Sequence, residues 1–212
     1  MGRFIVFEGV EGSGKTTQLA LLAEAVRESG SECVITKEPG GTPLSDRIRA
    51  ILLDSSSNLD PLAELFLFAA SRRQNVVEVI RPALDRGSVV LCDRFTDATL
   101  AYQGFGRLLN LDQLRTLNEW ATGSLLPDLT LIFDLPEEIG LKRARSRNAG
   151  AVKDEGRFEA EDIRFHRRVR EGYRSLAVAE PNRFVVIDGE GDIGDVFARV
   201  VAEVRKRTEV LR

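Results

Sequence analysis

The chain has 212 residues, 43% of them hydrophobic and 30% charged, and a formal net charge of −3. That length suits one globular domain spanning 1–212, whose folding would bury roughly 70% of the unfolded surface. No run approaches the roughly 18 apolar residues of a membrane helix, and the N-terminus passes straight into strand-like sequence instead of a charged leader. The expectation is a cytoplasmic protein with no membrane partner, and a sequence pI near 5.5 lacks the basic footprint of a nucleic-acid-binding domain.

Strand-like runs occupy 4–8, 33–36, 89–92, 129–134 and 184–188. Between them lie segments of helical period at 16–29, 44–53, 61–86, 97–102, 111–122, 137–146, 159–179 and 193–206. This alternation predicts an α/β fold with a five-stranded parallel sheet flanked by helices. Pro136 stands near a helix start, and Gly30 and Gly87 stand where helix ends favour glycine. Cys33 and Cys92 lie inside apolar strands and read as buried thiols.

The first strand runs into Gly9-Val10-Glu11-Gly12-Ser13-Gly14-Lys15-Thr16, a full G-x-x-x-x-G-K-[ST] phosphate cradle followed by a helix. Its glycines let backbone N–H groups turn inward around a polyphosphate, and the helix presents its positive end to the same anion. Lys15 would reach the β- and γ-phosphates and the Thr16 hydroxyl would ligate Mg²⁺. The chain is therefore read as binding a nucleoside triphosphate.

Other clusters narrow the chemistry. After the second strand comes Lys37-Glu38-Pro39-Gly40-Gly41-Thr42, on its own only a turn. Phe68 and Arg72 follow at i and i+4 of a helix, a pair able to stack on a base and donate to a carbonyl on its edge. Asp93 ends the third strand, where an Asp beside such a loop commonly binds Mg²⁺, and Arg94 follows it. Ligands of open α/β sheets bind at the carboxyl ends of strands, so Asp93, Arg94 and the phosphate loop are expected in one crevice. Thr99, Tyr102 and Gln103, at i, i+3 and i+4, are expected to converge on one spot. From Lys142 to Arg174 there are eleven Lys or Arg against six Asp or Glu. Within that stretch Arg143, Arg145, Arg147 and Arg157 flank a segment that reads as a mobile loop on charged hinges, a lid over 143–157. Arginines on a closing lid suit phosphoryl transfer because they stabilise charge spread over the transferred group. His166, the only histidine, reads as a surface or helix-packing residue without a catalytic role.

These pieces, in this order, resemble thymidylate kinase over nearly the whole chain: residues 7–17, Glu38-Pro39-Gly40-Gly41-Thr42, Phe68-Ala69-Ala70-Ser71-Arg72, Asp93-Arg94-Phe95, Ala101-Tyr102-Gln103-Gly104 and Pro127-Asp128-Leu129-Thr130. The resemblance implies the P-loop nucleoside monophosphate kinase fold with a lid, a homodimer, and Mg²⁺-dependent transfer of the γ-phosphoryl group of ATP to dTMP. It further implies that Phe68 stacks on thymine, Arg72 donates to O4, Gln103 faces the base edge and Tyr102 occupies the place of a ribose 2′-hydroxyl. Arg49 and Arg94 resemble arginines that hold the acceptor phosphate, and Glu38 and Thr99 resemble further members of the dTMP site. Glu11 is the acidic position of the phosphate loop. Gly12 stands where some members carry Arg, which marks the form whose lid arginines, here Arg143, Arg147 and Arg157, supply catalytic charge beside Lys15 and Arg94. Lys37 and Phe95 depart from the family's usual Arg and Tyr or His. The alternatives are a kinase for another monophosphate such as dUMP, UMP or AMP, or a nucleotide-dependent switch, although no Asn-Lys-x-Asp guanine-reading motif is present.

Overall fold

The computed structural model describes residues 2–148 and 156–211, with the side chains of residues 147 and 148 outside that description. Five strands, β1 (Arg3–Gly9), β2 (Cys33–Lys37), β3 (Val89–Asp93), β4 (Leu129–Asp134) and β5 (Phe184–Asp188), form one sheet of order β2-β3-β1-β4-β5. Every neighbouring pair is parallel, so helices carry the chain back across the sheet between strands.

Burial on both faces explains why the strands read as continuous apolar runs. Ile5 and Phe7 face one core, together with Leu22 and Val26 of α1 (Lys15–Glu28) and Val200 and Val204 of α9 (Ile193–Arg207). Phe4 and Val6 face the other side, against Val76, Ile80 and Val90. Cys92 is buried in that second core, whereas Cys33 is half-buried at the sheet edge; both are free thiols.

Between β2 and β3 lie α2 (Pro43–Leu53), capped by the Thr42 side chain, and α3 (Pro61–Asn75), capped by Asp60. The segment 61–86, expected as one helix, is instead α3, a π-helical stretch Val76–Ile80 and the short α4 (Arg81–Asp85). Pro82 is the physical reason: it has no N–H to give to an upstream carbonyl, and the widened turn accommodates the missing bond. After β3, α5 (Thr96–Thr99) likewise widens into a π-helical stretch, Leu100–Gly106. Next come α6 (Leu111–Thr122), α7 (Glu137–Asn148) and α8 (Ile163–Ala179). α8 begins four residues later than the periodicity suggests, because Asp162 caps it by accepting the Phe165 N–H at 2.9 Å.

The register positions the site. Phe7 pairs with Asp93, Asp93 pairs with Lys37, and Gly9 pairs with Phe133, so the loops after β1, β2 and β3 open at one edge. α7 packs directly against the loop after β1. A Cβ on Gly12, whose φ is +66°, would stand 2.1 Å from the Gly140 carbonyl oxygen, and a Cβ on Gly140 would stand 2.3 Å from that of Glu11. Both glycines are required by close backbone approach, and an arginine at position 12 has no room in this packing.

Gly140→Ala should push the phosphate loop off α7, costing about 1–3 kcal/mol of stability as an overpacking strain and raising the KM for ATP. Thermal melts together with ATP-dependent kinetics check this; unchanged Tm and KM would mean that the contact yields without consequence.

Candidate active site

The loop Gly9–Thr16 feeds α1, whose N-cap Gly14 adopts a left-handed φ of 90° and offers no side-chain cap. The first amides of α1 are thus left for an anion. They border a cavity of about 310 Å³ that Arg143, Asp192 and Ile193 close on the opposite side. Lys15 is buried, and its Nζ donates to the carbonyls of Gly9 at 3.0 Å and Val10 at 2.8 Å and to the Ser13 hydroxyl at 3.3 Å. Burial first, then Arg94, pulls the Lys15 pKa down to about 8 against the opposing pull of Asp93, Glu11 and Glu8. The Thr16 hydroxyl donates to Asp93 Oδ2 at 2.7 Å. Two hard oxygens therefore lie side by side at the mouth of the loop, as the pairing of β1 with β3 requires.

Arg94 links three elements. Its Nη1 donates to the Gly9 carbonyl at 3.0 Å and to the Tyr173 hydroxyl at 3.1 Å, and its Nη2 meets Glu11 Oε1 at 3.0 Å. It holds φ = 69°, a backbone region unusual for a residue with a long side chain. The Tyr102 ring lies under its guanidinium at 4.7 Å, and the Tyr102 hydroxyl donates to Glu11. Burial would raise the pKa of Glu11, but the His166 ring, Arg94, Lys15 and Tyr102 outweigh it and hold the group at about 2. His166 is fully buried on α8, so the helix-packing expectation holds and the surface one does not. Its Nδ1 lies 3.4 Å from Glu11 Oε2, close enough for electrostatic support but without hydrogen-bond geometry.

A second cluster surrounds Arg72, only 2% exposed. Its Nε donates to Glu38 Oε2 at 2.7 Å, its Nη1 to Thr99 Oγ1 at 2.9 Å and to Asn118 Oδ1 at 2.7 Å, and its Nη2 to the Phe95 carbonyl at 2.8 Å. Among the described residues, four of its five N–H groups are occupied and one is left over. Burial first raises the pKa of Glu38, with Arg72 pulling it back. Phe68 is half-buried with its ring 6.2 Å from that of Phe158. Arg49 Nη1 donates to the Pro39 carbonyl at 3.1 Å.

The structure brings Lys15, Thr16, Asp93, Arg94, Glu11 and Tyr102 together, and separately Glu38, Arg72 and Thr99. Thr99, Tyr102 and Gln103 reach different partners, Arg72, Glu11 and Glu64 respectively. Arg143 borders the cavity, while Arg157 pairs with Glu64 at 2.7 Å. Arg145 donates to the Glu159 carbonyl at 3.0 Å. The Arg147 side chain and residues 149–155 of the expected lid lie outside the described residues.

Sequence reasoning missed Glu8, Tyr173, Glu64 and Asn118. Glu8 is fully buried in β1, accepting from the amides of Phe95 at 2.8 Å and Ala98 at 3.1 Å and from the Tyr173 hydroxyl at 2.7 Å. Burial, reinforced by Asp97, raises its pKa to about 7. An acid at the end of an otherwise apolar strand was the signal that could have found it.

A phosphate cradle at the carboxyl edge of a parallel 2-3-1-4-5 sheet, with a basic strand-end residue and a second buried polar pocket beside it, defines a P-loop nucleoside monophosphate kinase. The thymidylate kinase family model matches residues 7–200. A thymidylate kinase of Citrifermentans bemidjiense is 54% identical over 213 residues, covering 100% of this chain and 95% of that one. Another, from Desulfovibrio desulfuricans, is 56% identical over 211 residues, covering 96% and 97%. The crystal structure of thymidylate kinase from Ehrlichia chaffeensis matches with a TM-score of 0.77 at 35% identity, covering 96% of this chain and 98% of that one. The chain belongs to the thymidylate kinase family and is a phosphotransferase.

The raised pKa of Glu8 gives a pH dependence with a definite sign. A carboxyl whose folded-state pKa exceeds its unfolded value contributes fully below the unfolded value of 4.5 and loses that contribution as pH rises through about 7. Glu8→Gln, which keeps the shape and cannot ionise, should gain Tm relative to the wild type as pH rises from about 5 to 8. A Tm difference that stays constant over this range in paired melts would reject the assignment.

Proposed function

We propose that the two clusters form the donor and acceptor halves of one site, in which the γ-phosphoryl group of ATP passes to dTMP to give ADP and dTDP. The observation that supports this reading is their arrangement at a single sheet edge: Arg94 joins the Gly9 carbonyl to Glu11, while Arg72 is fixed by Glu38, Thr99 and the Phe95 carbonyl, and Gln103 by Glu64. A phosphate monoester with a second pKa of about 6 is largely dianionic at neutral pH, so the acceptor oxygen is already a nucleophile and needs no general base. The protein's task is to align two polyanions and offset their repulsion.

In this reading the loop amides and Lys15 hold the donor phosphates, and Arg94 with Arg49 holds the acceptor phosphate. Arg143, Arg147 and Arg157 add charge from a lid over 143–157 of the single domain. Phe68 stacks on thymine, the remaining Arg72 N–H donates to O4, and Tyr102 fills the 2′ position. Glu38 and Thr99 fix Arg72. Thr16 and Asp93, hard oxygen donors 2.7 Å apart, suit Mg²⁺, which keeps most of its shell for water and phosphate oxygens. Bound there, Mg²⁺ would neutralise the phosphate charge. Among the described residues no helix is long and apolar enough to cross a membrane. We read the enzyme as cytoplasmic and homodimeric. Support for a dimer comes from exposed Ile51, Leu62, Phe66 and Trp120 on α2, α3 and α6, where α3 packs on both of the others.

ADP formation with MgATP and each of dTMP, dUMP, UMP, dCMP, AMP and dGMP tests the assignment, with Lys15→Ala as control. The expected result is a dTMP preference that the control abolishes, with dUMP a poor substrate because one methyl in an apolar pocket discriminates by only about 1–3 kcal/mol. Preference for another monophosphate would retain the kinase and overturn the base pocket. Arg94→Ala should cost roughly 3 kcal/mol in kcat/KM, the scale of one lost electrostatic donor. A loss under about tenfold, about 1.4 kcal/mol, would remove Arg94 from the reacting groups.

A further inference from the structure

Glu64, on α3, is 1% exposed, and the acceptor and lid assignments leave it without a role. Three side chains converge on it. Gln103 Nε2 donates to Oε1 at 2.7 Å, Arg157 Nη1 meets Oε2 at 2.7 Å, and Arg107 Nη2 meets Oε2 at 3.3 Å. A carboxylate flanked by two guanidinium groups only accepts hydrogen bonds, so the amide of Gln103 has a single permitted orientation: NH₂ toward Glu64, carbonyl oxygen away from it. That carbonyl oxygen takes no hydrogen bond among the described residues.

We propose that Glu64 is a specificity-determining residue that fixes the Gln103 amide so that its oxygen, and never its NH₂, meets the base. The proposal rests on the reading of Gln103 as base-facing. Arg72 and Gln103 then form a fixed pair, one donor and one acceptor. Thymine and uracil present the complement, a carbonyl at position 4 and an N–H at position 3. Cytosine presents an amino group to the Arg72 donor and an unprotonated nitrogen to the Gln103 acceptor, so both contacts repel it. Discrimination against cytosine thus depends on a residue that does not touch the base, through the rule that a buried polar group facing a like group is costly. Glu64 acts through Gln103 and is a positioning residue.

The test is kcat/KM for dTMP and dCMP on the wild type, Glu64→Gln and Glu64→Asp. The amide of Glu64→Gln can accept from or donate to Gln103, freeing Gln103 to turn over, so the dTMP-to-dCMP ratio should fall at least tenfold. Glu64→Asp keeps an acceptor-only group and should retain most of the ratio even if both rates fall. A role confined to packing would lower both substrates in proportion, and an unchanged ratio in a folded Glu64→Gln enzyme overturns the proposal. A wild type with no preference for dTMP over dCMP would instead sink the base-facing reading beneath it. Should Glu64→Gln fail to melt cooperatively, a crystal structure of the wild type with dTMP decides: Gln103 bridging Glu64 and the thymine N–H is expected, and a Gln103 turned away from Glu64 overturns the proposal.

Discussion

The guanidinium of Arg94 is the contact on which the rest of the site depends. It joins the end of β3 to the Gly9 carbonyl, to Glu11 within the phosphate loop and to Tyr173 on α8, so three separately folded segments share one charge. The residue adopts an uncommon backbone conformation to do so, an expense the surrounding packing must outweigh. Around it stand Glu8, Glu11 and Lys15, all buried: Arg94 and Lys15 help keep Glu11 ionised, whereas burial and Asp97 raise the Glu8 pKa to about 7. Loop shape, acid position and lysine direction are therefore set jointly.

The cluster around Arg72 follows the same logic with different parts. Arg72 and Glu38 are both nearly inaccessible to water, and Thr99, Asn118 and the Phe95 carbonyl satisfy what their mutual pairing leaves over. Little of Arg72 is free to move, so what it offers a ligand is directional. A preorganised donor costs no reordering when a ligand arrives.

Much of the architecture was legible in the sequence. The five strands are short apolar runs bounded by turns, and the phosphate loop is a local motif whose meaning does not depend on distant residues. The pairing of Thr16 with Asp93 followed from topology, although 77 positions separate them. What could not be read was long-range or geometrically subtle. Tyr173 reaches Glu8 across 165 positions, and Asn118 reaches Arg72 across 46. Nothing local marks either pairing. A π-helical stretch of five to seven residues has nearly the apolar spacing of an α-helix, so the widening from Leu100 was hidden, and only Pro82 hinted at the other such stretch.

The buried pair of Glu38 and Arg72 has a consequence for how this enzyme can change over generations. The pair holds α3 against the loop after β2, so exchanging either residue alone would strand a charge in the interior, at a cost of about 3–5 kcal/mol. That is much of the stability a typical domain possesses. At these two positions a single exchange is therefore selected against by stability first, and tolerated change there requires paired replacements. If this pair does face the base, folding itself helps guard which nucleotide the enzyme accepts.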